Sequence, residues 1–309
     1  MIKCMNEEQK LRYLAGYIDG DGCFRVNITT QKSGTIVYER SITVTSTCKE
    51  SIIFFKNIFG GYITSEQKQG NRRKTYTWAV KNKLSYLVAV KIRNFLICKR
   101  NQCELYIKYC ENLFRTNYQK ISIQNIVERN NLVNQIKENI HDFDLLSKEQ
   151  IQELKKYPMI IEPSINDYFY LSGLIDAEGC FRIVKRFRKS SNSFIYNTEL
   201  AIGNVKFSII EWLFHRFGGS LTFTQKKSPS RNFACWSIHS KALIPIIKNV
   251  KDFLIVKKKV CQELINFQNT ILKNGGKRSS TKFKELFKSI CKERDLIIER
   301  VHILNHRGK

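Results

Sequence analysis

The sequence predicts an α+β protein of two pseudo-symmetric αββαββα repeats, each built on an antiparallel four-stranded sheet. Three observations predict it: the chain echoes itself in order, each copy runs through the same series of helical and period-2 segments, and a polar stretch separates the copies. LRYLAGYIDGDGCFR at 11–25 returns as YFYLSGLIDAEGCFR at 168–182, an offset of 157. Three further matches follow at an offset of 158: Phe59-Gly60-Gly61 with Phe217-Gly218-Gly219, Trp78 with Trp236, and Phe95-Leu96-Ile97 plus Lys99 with Phe253-Leu254-Ile255 plus Lys257. One inserted residue accounts for the drift.

In the first copy a helix at about 9–20 carries the echoed motif. Phe24-Arg25-Val26-Asn27-Ile28-Thr29 and Ser41-Ile42-Thr43-Val44-Thr45 alternate apolar and polar residues, as half-buried strands do. A helix at 51–59 is stopped by Gly60-Gly61; strands at about 61–68 and 73–81 and a helix starting near Ser85 complete the unit. The second copy gives strands at 181–188 and 195–203, a helix at 208–217, strands at 219–225 and 232–239, and a helix near 242–249. The first repeat is expected over 1–117, a helical tether over 118–165 and the second repeat over 166–309. Ile126, Val133, Ile136 and Ile140 are helically spaced in the tether, which Pro158 and Pro163 break. A tail at about 279–304, with Phe283, Leu286, Phe287, Ile290, Ile297, Ile298 and Val301 in helical register, is expected to pack on the second repeat. The string His302-Ile-Leu-Asn305-His306 lacks the hairpin and helix context of a His-Asn-His nuclease and reads as a frayed basic tail.

The 309 residues, 42% hydrophobic, can build a packed core. The charge is extreme: 53 Lys+Arg against 27 Asp+Glu give +26, beyond what solubility requires. A polyanionic partner, nucleic acid first, is expected. No stretch approaches the ~20 apolar residues of a membrane span, and the first ten residues lack a secretory pattern. Ten scattered cysteines without CxxC pairs disfavour zinc ribbons and fit a reducing compartment. The leaning to Lys, Ile, Asn, Phe and Tyr matches AT-rich codons, hence an organelle, the mitochondrion.

Each motif helix carries small residues one turn apart, Gly16 and Gly20 or Gly173 and Ala177, so two such helices can meet backbone to backbone. Two copies in one chain supply the pair, so a monomer is expected. At the helix ends stand Asp21 and Glu178, followed by Gly22 and Gly179, whose tolerance of φ > 0 suits a helix C-terminus. Acids there oppose the helix dipole and repel each other unless a cation joins them. Hard oxygen ligands select Mg²⁺, which activates water and steadies the leaving oxygen in phosphodiester cleavage.

LAGYIDGDG at 14–22 and LSGLIDAEG at 171–179 resemble the two motifs of the single-chain LAGLIDADG homing endonucleases, over nearly the whole chain. The resemblance implies an intron-encoded enzyme that uses Mg²⁺, or another divalent ion such as Mn²⁺, to cut both strands of a long DNA site across the minor groove. Ca²⁺ would bind without supporting cleavage. It implies that Asp21 and Glu178 are catalytic metal ligands, and that Asp19 and Asp176 are structural. Lys99 and Lys257 match the family's central lysine, placed to stabilise the transition state. Where some members carry Gln, this chain has Ser46 or Thr47 and Gly203 or Asn204, which leaves the water-positioning residue unassigned.

With the apolar alternates packed inward, the outward residues of the sheets face the duplex as a saddle. In the first repeat these are Cys23, Arg25, Asn27, Thr29 and Gln31, then Glu39, Ser41, Thr43 and Thr45, then Thr64, Glu66, Lys68, Thr75, Thr77 and Lys81. In the second they are Arg182, Val184, Arg186 and Arg188, then Asn197, Glu199 and Ala201, then Thr222, Thr224, Lys226, Arg231 and Phe233. Such groups suit base edges in the major groove and phosphates. A strand of about eight residues spans ~26 Å, so two halves imply an asymmetric double-stranded DNA site of about 16–22 base pairs. The alternatives are an intron RNA maturase, with host intron RNA as partner and with or without nuclease activity, and a metal-independent DNA-binding regulator. Retention of both carboxylates favours the nuclease.

Overall fold

The computed structural model describes residues 5–34, 36–67, 73–115, 122–141, 145–158, 161–191, 193–226, 231–272 and 281–305. In chain order the first repeat contains α1 (Glu7–Asp21), β1 (Gly22–Thr30), β2 (Ile36–Ser46), α2 (Lys49–Phe59), β3 (Tyr62–Glu66), β4 (Thr75–Lys81), α3 (Asn82–Ile92) and α4 (Arg100–Arg115). Next come α5 (Ile123–His141) and α6 (Lys148–Lys156). The second repeat contains α7 (Ile165–Glu178), β5 (Gly179–Arg188), β6 (Ser193–Asn204), α8 (Phe207–Phe217), β7 (Ser220–Thr224), β8 (Phe233–His239), α9 (Ser240–Val250), α10 (Lys258–Leu272) and α11 (Thr281–Asn305). Each repeat holds one antiparallel sheet, ordered β1-β2-β4-β3 and β5-β6-β8-β7. Among the described residues no helix is long and apolar enough to cross a membrane.

Local chemistry sets the ends of these elements. Asn6 and Gln9 form a capping box that starts α1, and Ser164 with Asp167 does the same for α7. Gly60 and Gly218 stop α2 and α8 at φ 72° and 63°. The two repeated tryptophans explain themselves here: Trp78 Nε1 donates to Gly60 O at 2.8 Å, and Trp236 Nε1 to Gly218 O at 2.6 Å, stapling each turn to its sheet. In α1 the run from Tyr13 to Asp19 is buried on every side, as expected of a helix enclosed between two repeats. A continuous core links both sheets through α1 and α7.

Two helices absent from the αββαββα expectation, α4 and α10, extend each unit. The tether and the tail prove equivalent as well. Arg129 on α5 lies over the Tyr38 ring at 5.1 Å and donates from Nε to Asn112 Oδ1 on α4. Arg294 on α11 lies over the Tyr196 ring at 5.3 Å and donates from Nε to Thr270 Oγ1 on α10. Tyr38 and Tyr196, like Asn112 and Thr270, occupy corresponding repeat positions. Thus α5 packs on the first repeat as α11 packs on the second, and Val133 and Ile136 enter the core. Nor is the tail frayed at 302: α11 continues to Asn305, whose Nδ2 donates to Phe181 O at 2.7 Å. The side chains of Ile140, Phe283, Leu286 and Phe287 lie outside the described residues.

Candidate active site and nucleic-acid interface

Helices α1 and α7 meet backbone to backbone. A methyl group on Gly16 would overlap the Tyr170 carbonyl oxygen, and one on Gly173 that of Tyr13. Further along, a Cβ on Gly20 would lie 2.5 Å from Ala177 Cβ and 3.1 Å from Glu178 Cγ. The close approach of the helix ends brings Asp21 and Glu178 together. Gly22 and Gly179 follow, but not in the left-handed conformation expected of them: their φ values are −81° and −68°. Their requirement is steric, because a Cβ would come within 2.7 Å of Ile18 O and 2.8 Å of Ile175 O respectively.

Neither the Asp21 nor the Glu178 carboxylate takes part in a hydrogen bond or ion pair among the described residues. Although Asp21 is open on one side, partial burial between the helix ends raises its pKa to about 6; repulsion from Glu178 adds to this, and Lys99 and Lys257 oppose it. Two carboxylates without protein hydrogen bonds, brought together at the helix ends, fit a hard divalent cation, which takes one or two carboxylates and fills its shell with water and phosphate oxygens. Among the described residues no group of three or more His, Cys, Asp or Glu suited to a metal occurs.

The other motif acids act structurally. Asp19 accepts the backbone N–H groups of Ile97 at 2.7 Å and Lys99 at 2.9 Å; Asp176 accepts those of Ile255 at 2.6 Å and Lys257 at 2.8 Å. This fixes each lysine's backbone beside its motif helix. Lys99 Nζ then donates to the carbonyls of Ile18 (2.7 Å), Gly20 (3.2 Å) and Gly22 (2.7 Å), using all three donors on the negative end of the helix dipole. Lys257 Nζ donates to Ile175 O at 3.0 Å and to Gly179 O, which leaves one donor in hand. Burial lowers the Lys257 pKa, while Asp176, Cys180, Asp21 and Glu178 hold it up.

A cavity of about 360 Å³ opens at this point, lined by Asp21, Thr45, Ser46, Thr47 and Arg73 from the first repeat, Lys257 from the second, and Asn305 from α11. Arg73 and Asn305 went unnoticed as site residues in the sequence. Arg73 stands at the start of the strand expected over 73–81, in the same alternation as Thr75 and Thr77, but the strand begins only at Thr75; Asn305 reaches the cavity only because α11 returns to β5. Of the four residues left open above as the water-positioning group, Ser46 and Thr47 line the cavity. Asn204 instead accepts the Lys206 N–H, and Gly203 lies beneath the Phe233 ring.

Strand register places the outward residues on one face of each sheet. Arg25 pairs with Ser41, Asn27 with Glu39, Thr45 with Thr77 and Thr64 with Thr77; Thr29, Thr43 and Thr75 share that face. Gln31 follows β1 and is exposed. In the second sheet Val184 pairs with Asn197, Thr222 with Cys235 and Thr224 with Phe233, while Arg186 and Arg188 are exposed. Lys226 is exposed beyond β7 and Arg231 is half-buried ahead of β8. Lys68 lies outside the described residues. One expected contact needs correction: Glu199 is buried, 7% exposed, and its carboxylate is taken by Arg182 through bonds of 2.6 and 2.7 Å. Phe233 is half-buried on the outward face, with its ring over Gly203. Arg182→Ala should therefore destabilise the fold by roughly 1–2 kcal/mol, because it strands a buried carboxylate. Arg186→Ala, at an exposed and unpaired position, should change stability by under about 0.5 kcal/mol, as denaturant titration will show.

Residues 14–96 match the LAGLIDADG endonuclease family. The chain is 23% identical over 249 residues to the probable intron-encoded endonuclease aI3 of Dictyostelium citrinum, covering 78% of this chain and 86% of that protein. Among solved structures, the I-SmaMI LAGLIDADG homing endonuclease bound to cleaved DNA is 17% identical with a TM-score of 0.65, covering 96% of each chain. The LAGLIDADG meganuclease I-CpaMI bound to uncleaved DNA is 14% identical with a TM-score of 0.66, covering 96% of this chain and 99% of that one. I-SmaMI on its uncleaved target with calcium is 18% identical with a TM-score of 0.62, covering 93% and 98%. The family match lies inside the first repeat, the second repeat echoes it, and the fold of these two-repeat LAGLIDADG structures is shared over almost the whole length of the chain.

Proposed function

We propose that the protein is a site-specific double-strand DNA endonuclease, encoded by an intron, that recognises a long asymmetric site and hydrolyses one phosphodiester in each strand. The pairing of Asp21 with Glu178 carries this reading: each repeat contributes one carboxylate, both stand without protein partners among the described residues, and a strongly basic chain surrounds them. Such a pair weakens the binding of a polyanion unless a divalent ion occupies it. The intron-encoded relative and the DNA-bound LAGLIDADG structures support the same conclusion. That I-SmaMI is bound to uncleaved DNA in the presence of calcium ions supports the view that Ca²⁺ binds without promoting cleavage. The leaning to Lys, Ile, Asn, Phe and Tyr, which AT-rich codons encode, favours an organellar, mitochondrial gene.

This reading assigns each site residue a part. Asp21 and Glu178 hold the divalent ion, Mg²⁺ or Mn²⁺, which when bound supplies Lewis acidity for hydrolysis. Lys257, with a donor to spare beside the cavity, reaches the scissile phosphate and offsets charge growing on it. Lys99 neutralises the end of α1 and keeps Asp21 in place. The outward faces of the two sheets take the grooves on either side: Asn27, Arg186 and Arg188 toward base edges, Thr64 and Lys226 toward the backbone. Because Arg182–Glu199 in the second sheet has no ionic counterpart at Arg25–Ser41 in the first, the two half-sites differ.

The decisive experiment incubates the protein and Mg²⁺ with DNA that joins the flanking exons without the intron. Double-strand cleavage at one place is expected, and intact DNA under conditions where the protein binds it would refute the reading. Lys257→Met should slow single-turnover cleavage on the order of 10²-fold with little loss of binding. Lys99→Met should instead lower stability as well as rate, since it leaves three carbonyls of the α1 end and its following residue without their cation.

A further inference from the structure

We infer that Tyr13 and Tyr170 are positioning residues that act across the repeat boundary, each holding the active-site lysine loop of the other repeat. Tyr13, on α1, donates its hydroxyl to Asp176 Oδ2 at 2.7 Å; Tyr170, on α7, donates to Asp19 Oδ2 at 2.6 Å. Both tyrosines are buried, 0% and 4% exposed. The bonds are crossed, since each joins a phenol of one repeat to a carboxylate of the other.

Each carboxylate is also the clamp on its own lysine loop. Asp176 Oδ2 takes the Ile255 N–H together with the Tyr13 hydroxyl, while Oδ1 takes the Lys257 N–H. Asp19 repeats the pattern with Tyr170, Ile97 and Lys99. Neither loop belongs to a regular element: 96–99 and 254–257 lie between α3 and α4 and between α9 and α10. Beyond the clamp, each loop is tied by the first turn of the next helix, where Cys103 N–H donates to Lys99 O and Cys261 N–H to Lys257 O, both at 2.9 Å. A carboxylate that turned about its terminal torsion would lose both amides at once, and the phenol from the opposite repeat fixes that torsion. A tyrosine meant only to fill the core would need no hydroxyl, and one meant to brace its own repeat would not reach across. The arrangement ties correct placement of Lys257 to docking of α1, and of Lys99 to docking of α7. Neither centre is complete in an undocked repeat, which links the two strand cuts to one assembled state.

The consequence for strand cutting rests on the nuclease reading above; the consequence for the loops does not. The test uses Tyr13→Phe and Tyr170→Phe, which keep the rings and remove one hydroxyl each. Hydrogen exchange of the full-length protein, free of DNA and metal, is followed in peptides covering 95–100 and 253–258. Tyr13→Phe should speed exchange in 253–258 about tenfold and leave 95–100 at the wild-type rate, and Tyr170→Phe should do the reverse, a tenfold change being what loss of one modest charge-assisted bond produces. Equal changes in both loops, or none in either, would overturn the inference whatever the melting temperatures show. In a second arm, DNA labelled on each strand should accumulate nicks on opposite strands with the two variants, the bias of Tyr13→Phe matching that of Lys257→Met. A shared strand preference, or slowing of both strands alike, would also overturn it. Wild-type protein that cuts no DNA would dispose of the nuclease reading while the exchange arm still decides the role of the tyrosines.

Discussion

Asp21→Asn should abolish double-strand cleavage, by on the order of 10³-fold or more, and yet raise the melting temperature of the metal-free protein at pH 7.5. The two effects share a cause. Partial burial first, and Glu178 second, lift the Asp21 pKa to about 6, against about 3.9 in an unfolded chain. The folded state therefore binds this proton more tightly than the unfolded state does. Its contribution to stability is complete below about pH 3.9 and is lost as pH rises through 6, so at pH 7.5 the ionised carboxylate works against the fold. Asparagine has a similar shape and carries no charge. In EDTA the variant should outmelt the wild type at pH 7.5, and the gap should narrow below pH 6 and nearly close near pH 4. Mg²⁺ should reverse the order at pH 7.5, because it stabilises only the protein that can hold it. Scanning calorimetry at both pH values, with EDTA and with Mg²⁺, checks each limb. A variant less stable in EDTA at pH 7.5, or stabilised by Mg²⁺ as much as the wild type, would remove Asp21 from the metal site.

The strands and most helices were legible because their patterns are local. Period-2 alternation in β1 and β2, double glycines after α2 and α8, and a constant offset between repeats each mark an element without reference to the rest of the chain. Helix α4 escaped because much of its buried face uses residues of ambiguous meaning, whereas Val260, Leu264 and Phe267 on α10 stand at helical spacing and were open to reading. Cys103, Tyr106, Tyr109 and Cys110 do for α4 what Leu and Ile do elsewhere. The kinship of α5 and α11 was hidden for another reason: Arg129 and Arg294 are separated by 165 residues, not 158, and their partners Asn112 and Thr270 share a hydrogen-bonding role but not an identity. The carboxylate pair could be read from the motif. The wiring behind it could not: the identity of Tyr13 and Tyr170 at the offset of 157 marks the pair, but not that each hydroxyl crosses to the other repeat. Likewise, alternation assigned Glu199 to the outward face correctly, but only the register shows Arg182 opposite it and already engaged.

Gly173→Ala separates the stability of the central interface from its chemistry. At Gly173 the added carbon meets the backbone carbonyl of Tyr13 and lies 2.9 Å from the Tyr17 nitrogen, so neither a rotamer change nor a flexible side chain can relieve it; the two helices must move apart. Overpacking usually costs about 1–3 kcal/mol, and backbone on both sides puts this case at the upper end or above, so melting should fall by roughly 6 °C or more. Gly20→Ala is the informative contrast. Its added carbon meets Ala177 Cβ and Glu178 Cγ at the open end of the same interface, where the helices can splay without disturbing the core. Stability should fall less than in Gly173→Ala, but the spacing of Asp21 and Glu178 would change, and cleavage should suffer more than binding. If cleavage by Gly20→Ala matched the wild type, the distance between the carboxylates could not be what the glycine protects. If Gly173→Ala melted with the wild type, the helices would have room that the Tyr13 carbonyl denies them.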